Sequence, residues 1–196
     1  ETAGKKAFGG AKFFENPDFA GNTSYEEMTA AGIQHLRGII DEAHRLGMQV
    51  GISISPIEFP REFQAALPGA RVTHSLNSLT ILPGGQQAPN NSTLKKLVAT
   101  KIRAYLTTYP SIDSLYLTLP EFPEWDQHAP EAWKQLASQR DLGDLTLEQL
   151  IASAKKRNLI ASGKRGEQAV KGNLVTLAFL NNLFRDGTLL RRPDRS

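Results

Sequence analysis

Two glutamates in matching company are the residues best suited to do chemistry in this chain. Glu58 stands in Ile57-Glu-Phe-Pro60 and Glu121 in Pro120-Glu-Phe-Pro123, each just past a short apolar run. Two carboxylates facing one cleft from different strands are what glycoside hydrolysis needs: one protonates the leaving oxygen, while the other attacks or activates water. Glu121 is the candidate general acid, because Pro120 and Phe122 give it apolar surroundings that raise a carboxyl pKa towards the working range. Glu58 is its candidate partner, with Glu124 and Asp126 in reserve as binding acids. Prolines stiffen both loops, which suits holding a carboxylate in place. Trp125 offers a plane for the C–H face of a sugar ring, and His74, Asn77 and His128 supply hydrogen bonds to hydroxyls. Each of these residues also has a plain structural reading, as a solvated loop glutamate or a tryptophan anchoring its loop.

Other chemistries are poorly served. The chain has no cysteine, which removes disulfides, thiolate metal sites and a cysteine nucleophile. No His/Asp/Glu spacing resembles a metal site, and no cofactor is implied. Pro83-Gly-Gly-Gln86 lacks the Gly-Lys-Ser/Thr of a phosphate-binding loop, and there is no Gly-x-Ser-x-Gly elbow. Gly163-Lys-Arg-Gly166 precedes a helix and reads as a turn, with an anion at the helix start as the sharper alternative. His35 and His44 fall inside the first helix as surface or packing residues. The formal charge is +3, with basic residues from Lys155 to Arg195 crowded into the last quarter. Without an RNA- or DNA-binding motif, solvated helix faces account for them better than a nucleic-acid contact does. No apolar run approaches the ~20 residues of a membrane span. The first residues have no signal-peptide core and no initiating Met, as expected of a processed product or an excised piece. The cellular compartment stays open.

These candidates need elements to position them. Ser24-Tyr-Glu-Glu27 is a capping box, and Met28, Ile33, Leu36, Ile39, Ile40 and Ala43 recur at helical spacing up to Leu46-Gly47. Met48 to Ser55 then alternates as a strand stopped by Pro56. Residues 57–91 are rich in turn formers, with a short helix expected near Arg61–Ala66 and a short strand near Leu79–Leu82. Ser92 or Thr93 caps a second helix, with Leu94, Leu97, Val98, Ile102, Tyr105 and Leu106 on its buried face. The run Ile112 to Leu119 reads as a strand covered on both faces, as in a parallel sheet. The remainder is helical: Glu131–Arg140, Thr146–Asn158 and Glu167–Arg185.

The run His35 to Pro56, a helix leading through Leu46-Gly47 into an apolar strand, resembles the repeating unit of (β/α)₈ glycoside hydrolases, and Leu115 to Trp125 is similar to a later barrel strand ending in an acid. The resemblance is to sugar-active barrels in general, over roughly residues 10–140. It departs from the β-hexosaminidase pattern, since Pro120 rather than an acid precedes Glu121, and it lacks the Asn-Glu dyad of many retaining barrels. What it implies is an α/β fold, a partial or incomplete TIM-type barrel with a helical C-terminal region. The chain is short for a closed barrel, which typically takes about 250 residues. The expected organisation is one domain or barrel fragment: an irregular start over 1–22, β/α units over 23–128, helices over 129–187 and a disordered tail over 188–196. The expected function is a glycoside hydrolase-like activity on a carbohydrate through Glu121 and Glu58. The alternative is a non-catalytic module binding a glycan or a protein. Because two strands make no stable sheet alone, the expected partners include the rest of a longer chain or a second copy.

Overall fold

The computed structural model describes residues 21, 24–72, 80–119, 122–140, 142–185 and 187–191. In chain order the elements are α1 (Tyr25–Arg45), β1 (Gly51–Ile54), β2 (Phe59–Pro60), a 3₁₀ turn (Arg61–Ala66), β3 (Arg71–Val72) and β4 (Thr80–Leu82). There follow α2 (Ser92–Thr108), β5 (Ser114–Leu117), a second 3₁₀ turn (Pro123–His128), α3 (Ala129–Gln139), α4 (Leu147–Lys156) and α5 (Lys164–Phe184). A last 3₁₀ turn, Thr188–Leu190, buries Leu189.

This is not a TIM barrel, partial or otherwise. The described residues contain five short strands in two small sheets, β1 with β5 and β2–β4–β3. A barrel wall is built from parallel strands with a helix between each pair. Here β4 pairs antiparallel with both neighbours, Phe59 opposite Ile81 and Arg71 opposite Leu82. No strand is described between α3, α4 and α5, so those helices have no sheet of their own to cover. The three antiparallel strands lie in the turn-rich segment after Pro56. β4 matches the short strand expected near Leu79–Leu82, whereas β2 and β3, at two residues each, are too short to show the alternation by which a strand is read.

The chain divides into two compact units, residues 1–52 with 108–114, and residues 53–107 with 115–196. In the first, the expected capping box forms: Ser24 Oγ accepts from the Glu27 amide at 3.1 Å, and Glu27 Oε2 accepts from the Ser24 amide at 3.0 Å. The helix ends where Gly47 takes φ +75°, a left-handed turn that glycine adopts without strain. Ile40 is fully buried on the inner face, whereas Met28 and Ile39 are exposed. His44 is structural: its Nε2 lies 2.9 Å from Asp113 Oδ2, which also accepts from the Val50 amide at 2.7 Å. Arg37 Nε donates to the Thr108 carbonyl at 2.9 Å.

The β1–β5 ladder runs in the parallel sense. Val50 O accepts from the Asp113 amide and Ile54 O from the Thr118 amide, so the register rises together on both strands. The strand after Ile112 is not covered on both faces, because Tyr116 is 61 % exposed. Helix α2 is capped one residue earlier than expected, by Asn91, whose Oδ1 accepts from the Leu94 amide at 3.0 Å. Its buried face is Leu94, Val98, Ile102 and Leu106.

In the second unit the core is built around Trp125, Phe122 and Phe179. The rings of Phe122 and Trp125 meet edge-on at 4.8 Å, and those of Trp125 and Phe179 lie 5.7 Å apart. Helix α5 approaches this turn backbone to backbone, since a Cβ on Gly172 would overlap the Phe122 carbonyl. The Gly172→Ala variant is expected to lose about 3 kcal/mol, because neither backbone can move aside as a flexible side chain would. Urea unfolding checks this; an unchanged midpoint would show that the approach is looser than described.

Helices α4 and α5 are tied by Glu167, whose two oxygens take Lys155 Nζ at 3.1 Å and Lys171 Nζ at 2.9 Å. The hydrogen bonds from Lys171 and Lys155 hold its carboxyl down from the ordinary 4.5 to about 2. A carboxylate depressed on folding stabilises above its unfolded pKa, and that stabilisation is lost as pH falls through the folded value. The melting temperature should therefore fall more steeply between pH 5 and 2 in the wild type than in Glu167→Gln. The gap should narrow in high salt, because the cluster is exposed. Parallel pH curves at low salt would show the cluster contributes nothing.

Candidate functional site

The two glutamates expected to share a cleft do not form a described pair. Glu121 lies outside the described residues, as do His74 and Asn77. Glu58 is only 8 % exposed, and the loop carrying it is pinned from α2. Lys101 Nζ donates to the Ser55 carbonyl at 2.6 Å and the Glu58 carbonyl at 2.5 Å, and lies 5.6 Å from the centre of the Phe59 ring. Burial pushes the Lys101 ammonium below its ordinary value, with the Glu58 charge offsetting part of the shift. A lysine in this position fastens the turn after β1, and no reading of the motif around Glu58 pointed to it.

Trp125, fully buried, presents no face to a ligand; its Nε1 donates to the Gln87 carbonyl at 2.8 Å. Glu124 pairs with Arg71 on β3, and Asp126 accepts from Gln168 Nε2 at 3.3 Å. The reserve acids are thus engaged with the protein itself. With Glu58 buried and the barrel absent, the hydrolase and glycosidase reading loses the framework that carried it.

One expected residue does line a cavity. His128 stands on the rim of a cleft of about 360 Å³ in the second unit, formed by the loop before α2, the first turn of α2, the first two turns of α3, and the face of α5 that carries Val175, Ala178, Phe179 and Asn182. Each wall has a local cause. The loop 83–90 is held against the 123–128 turn because Gly85 lies where any Cβ would overlap the Glu124 carbonyl. Its own carbonyl then accepts from Gln127 Nε2, with His128 Nε2 at 3.1 Å. The glycine pair after Pro83 therefore serves close backbone approach, which places Ala88, Pro89 and Asn90 at the cleft mouth. Pro130 stands in the first turn of α3, where a missing amide costs nothing, and helical spacing puts His128, Glu131, Ala132 and Gln135 on one face. On α5 the matching stripe is Val175, Ala178, Phe179 and Asn182. Gln135 and Asn182 exchange amide bonds across the two helices, at 2.8 and 3.0 Å.

The floor of the cleft is apolar and its rim is polar, which suits a small ligand with hydroxyls around a hydrocarbon frame. Sequence reasoning missed Asn90, Lys95, Glu131, Gln135 and Asn182. The i, i+4 pair Glu131/Gln135 was visible as a helix face, but nothing local said what it faced. Among the described residues no group of His, Asp and Glu is placed to hold a metal ion, and no helix is long and apolar enough to cross a membrane. Gly163 is the N-cap of α5 and Lys164 to Gly166 belong to its first turn rather than to a separate turn before it; a Cβ on Gly166 would overlap the Ala161 carbonyl. Of the basic residues near the C-terminus, Lys155 and Lys171 are engaged by Glu167. Comparison with protein-family models, with curated proteins and with solved structures finds no match to this chain.

Replacing Lys101 by Met keeps the aliphatic stem and removes the ammonium, leaving the Ser55 and Glu58 carbonyls without that donor. The expected cost is about 1–3 kcal/mol of stability. Chemical denaturation measures it, and an unaltered unfolding midpoint would mean the turn after β1 is held by something else.

Proposed function

We propose that this chain binds a small carbohydrate in the cleft between α2, α3 and α5, and does not cleave it. The observation that carries the reading is the arrangement of the cleft itself. A polar rim of Asn90, His128, Glu131, Gln135 and Asn182 surrounds a floor of Ala132, Val175, Ala178 and Phe179. Its volume of about 360 Å³ is of the size that encloses small ligands. Amides and a carboxylate hydrogen-bond sugar hydroxyls, while the C–H faces of the ring pack on apolar groups.

Binding without turnover is favoured because Glu131 is the single carboxylate among the lining residues. Hydrolysis by the two-carboxylate route needs a second acid across the bond, and Glu58 is not among the residues that line the cleft.

The test is calorimetric titration with a panel of monosaccharides and disaccharides, alongside a release assay on aryl glycosides. The wild type should bind at least one sugar and release no aglycone above the blank. The Glu131→Ala variant should bind about tenfold more weakly, the loss expected for one charge-assisted hydrogen bond. Its melting temperature should fall only slightly, because Glu131 is exposed and its charge at the start of α3 is worth about 0.3–1 kcal/mol. Failure of every sugar to bind, or binding indifferent to Glu131, would remove the proposal; measurable turnover would remove its non-catalytic half.

A further inference from the structure

We infer that the sugar bound in this cleft is anionic, its charged group seated against Lys95. The inference rests on the carbohydrate reading of the cleft and names the class of sugar.

Two lining residues carry unspent charge. Among the described residues no carboxylate pairs with Lys95 and no cation pairs with Glu131, although most of the other polar groups of the rim are engaged. His128 lies against the Gly85 carbonyl, and Gln135 and Asn182 hold each other. The two free charges are not equivalent. Glu131 lies in the first turn of α3, where the exposed amides of a helix start offset a negative charge. It is then left to accept hydroxyl protons, which neutral sugars already supply. Lys95 lies in the first turn of α2, where the same amide ends add to its positive charge. Asn90, beside it at the cleft mouth, can contribute an amide donor. The field left uncompensated in the cleft is therefore positive on the α2 side. A ligand with an anion there and hydroxyls towards Glu131 satisfies both walls, over the apolar floor of Val175 and Phe179.

The anion is a carboxylate or a phosphate ester, since an ammonium acting as a compact point charge serves either. Titration of the full chain with D-glucose, D-glucuronic acid and D-glucose 6-phosphate distinguishes them. At least one anionic sugar should bind about tenfold or more tightly than glucose at low salt, as one charge-assisted contact supplies. The tighter of the two identifies the anion, and the advantage should shrink as salt rises. Lys95→Gln should abolish the difference, so that the anionic sugar and glucose bind the variant with similar affinity. Glucose binding as tightly as both anions, or an anion advantage that survives Lys95→Gln, overturns the inference and leaves the cleft reading standing. No binding by any of the three, nor by the wider sugar panel, overturns both.

Discussion

The seating of residues 122–128 against α5 is the constraint on which the second unit depends. Trp125 and Phe122 are fully buried there, and the approach is so close that Gly172 has no room for a side chain above Phe122. Full burial of two such aromatics contributes several kilocalories per mole, roughly 1.5–3 for each large side chain. It also fixes geometry, because the Trp125 indole donates to Gln87 and the Phe122 amide donates to Asn173 Oδ1 at 3.2 Å. One aromatic pair thus joins the 83–90 loop, the 3₁₀ turn and α5. The cleft is the space left beside that junction.

A second regularity follows from how little sheet the protein has. Backbone carbonyls that a larger sheet would satisfy must find donors elsewhere, and here side chains supply them. Lys101 serves Ser55 and Glu58, Gln87 serves Pro68 at 2.5 Å, and Gln127 serves Gly85. Most chemically capable side chains near the loops are consumed this way. Against that background, the unpaired Lys95 and Glu131 facing one cavity stand out as groups the fold does not use.

The acids that looked most catalytic illustrate the same economy. Glu124 and Asp126 follow Glu121 closely, and all three read as one acidic strand exit. Glu124 turns to Arg71 on β3 and Asp126 to Gln168 on α5. Residues 123–128 form a short 3₁₀ helix, which sends successive side chains in different directions. An acid-rich stretch of sequence therefore does not become an acid-rich surface.

Much of the local structure was legible in the chain. The capping box at Ser24, the Gly47 stop and the periodic apolar positions of α2 follow from short-range sterics and hydrogen bonding, so a window of residues determines them. The strand after Met48 was legible for the same reason, although the ladder covers only Gly51–Ile54. The barrel expectation failed at the next level. Alternating helix and strand is compatible with several arrangements, and the two-residue strands β2 and β3 that flank β4 carry no periodic signal. The cleft was invisible for a related reason. His128 was singled out as a single residue, but its companions come from the loop before α2 and from α2, α3 and α5, separated by as many as 94 positions between Ala88 and Asn182. The sequence by itself determined that each helix exists and roughly where it lies, although α3 begins at Ala129 rather than Glu131 and α5 at Lys164 rather than Glu167. Only the tertiary structure decided which faces meet, because that depends on long-range packing around Trp125 and on backbone approaches at Gly85 and Gly172 that no local pattern encodes.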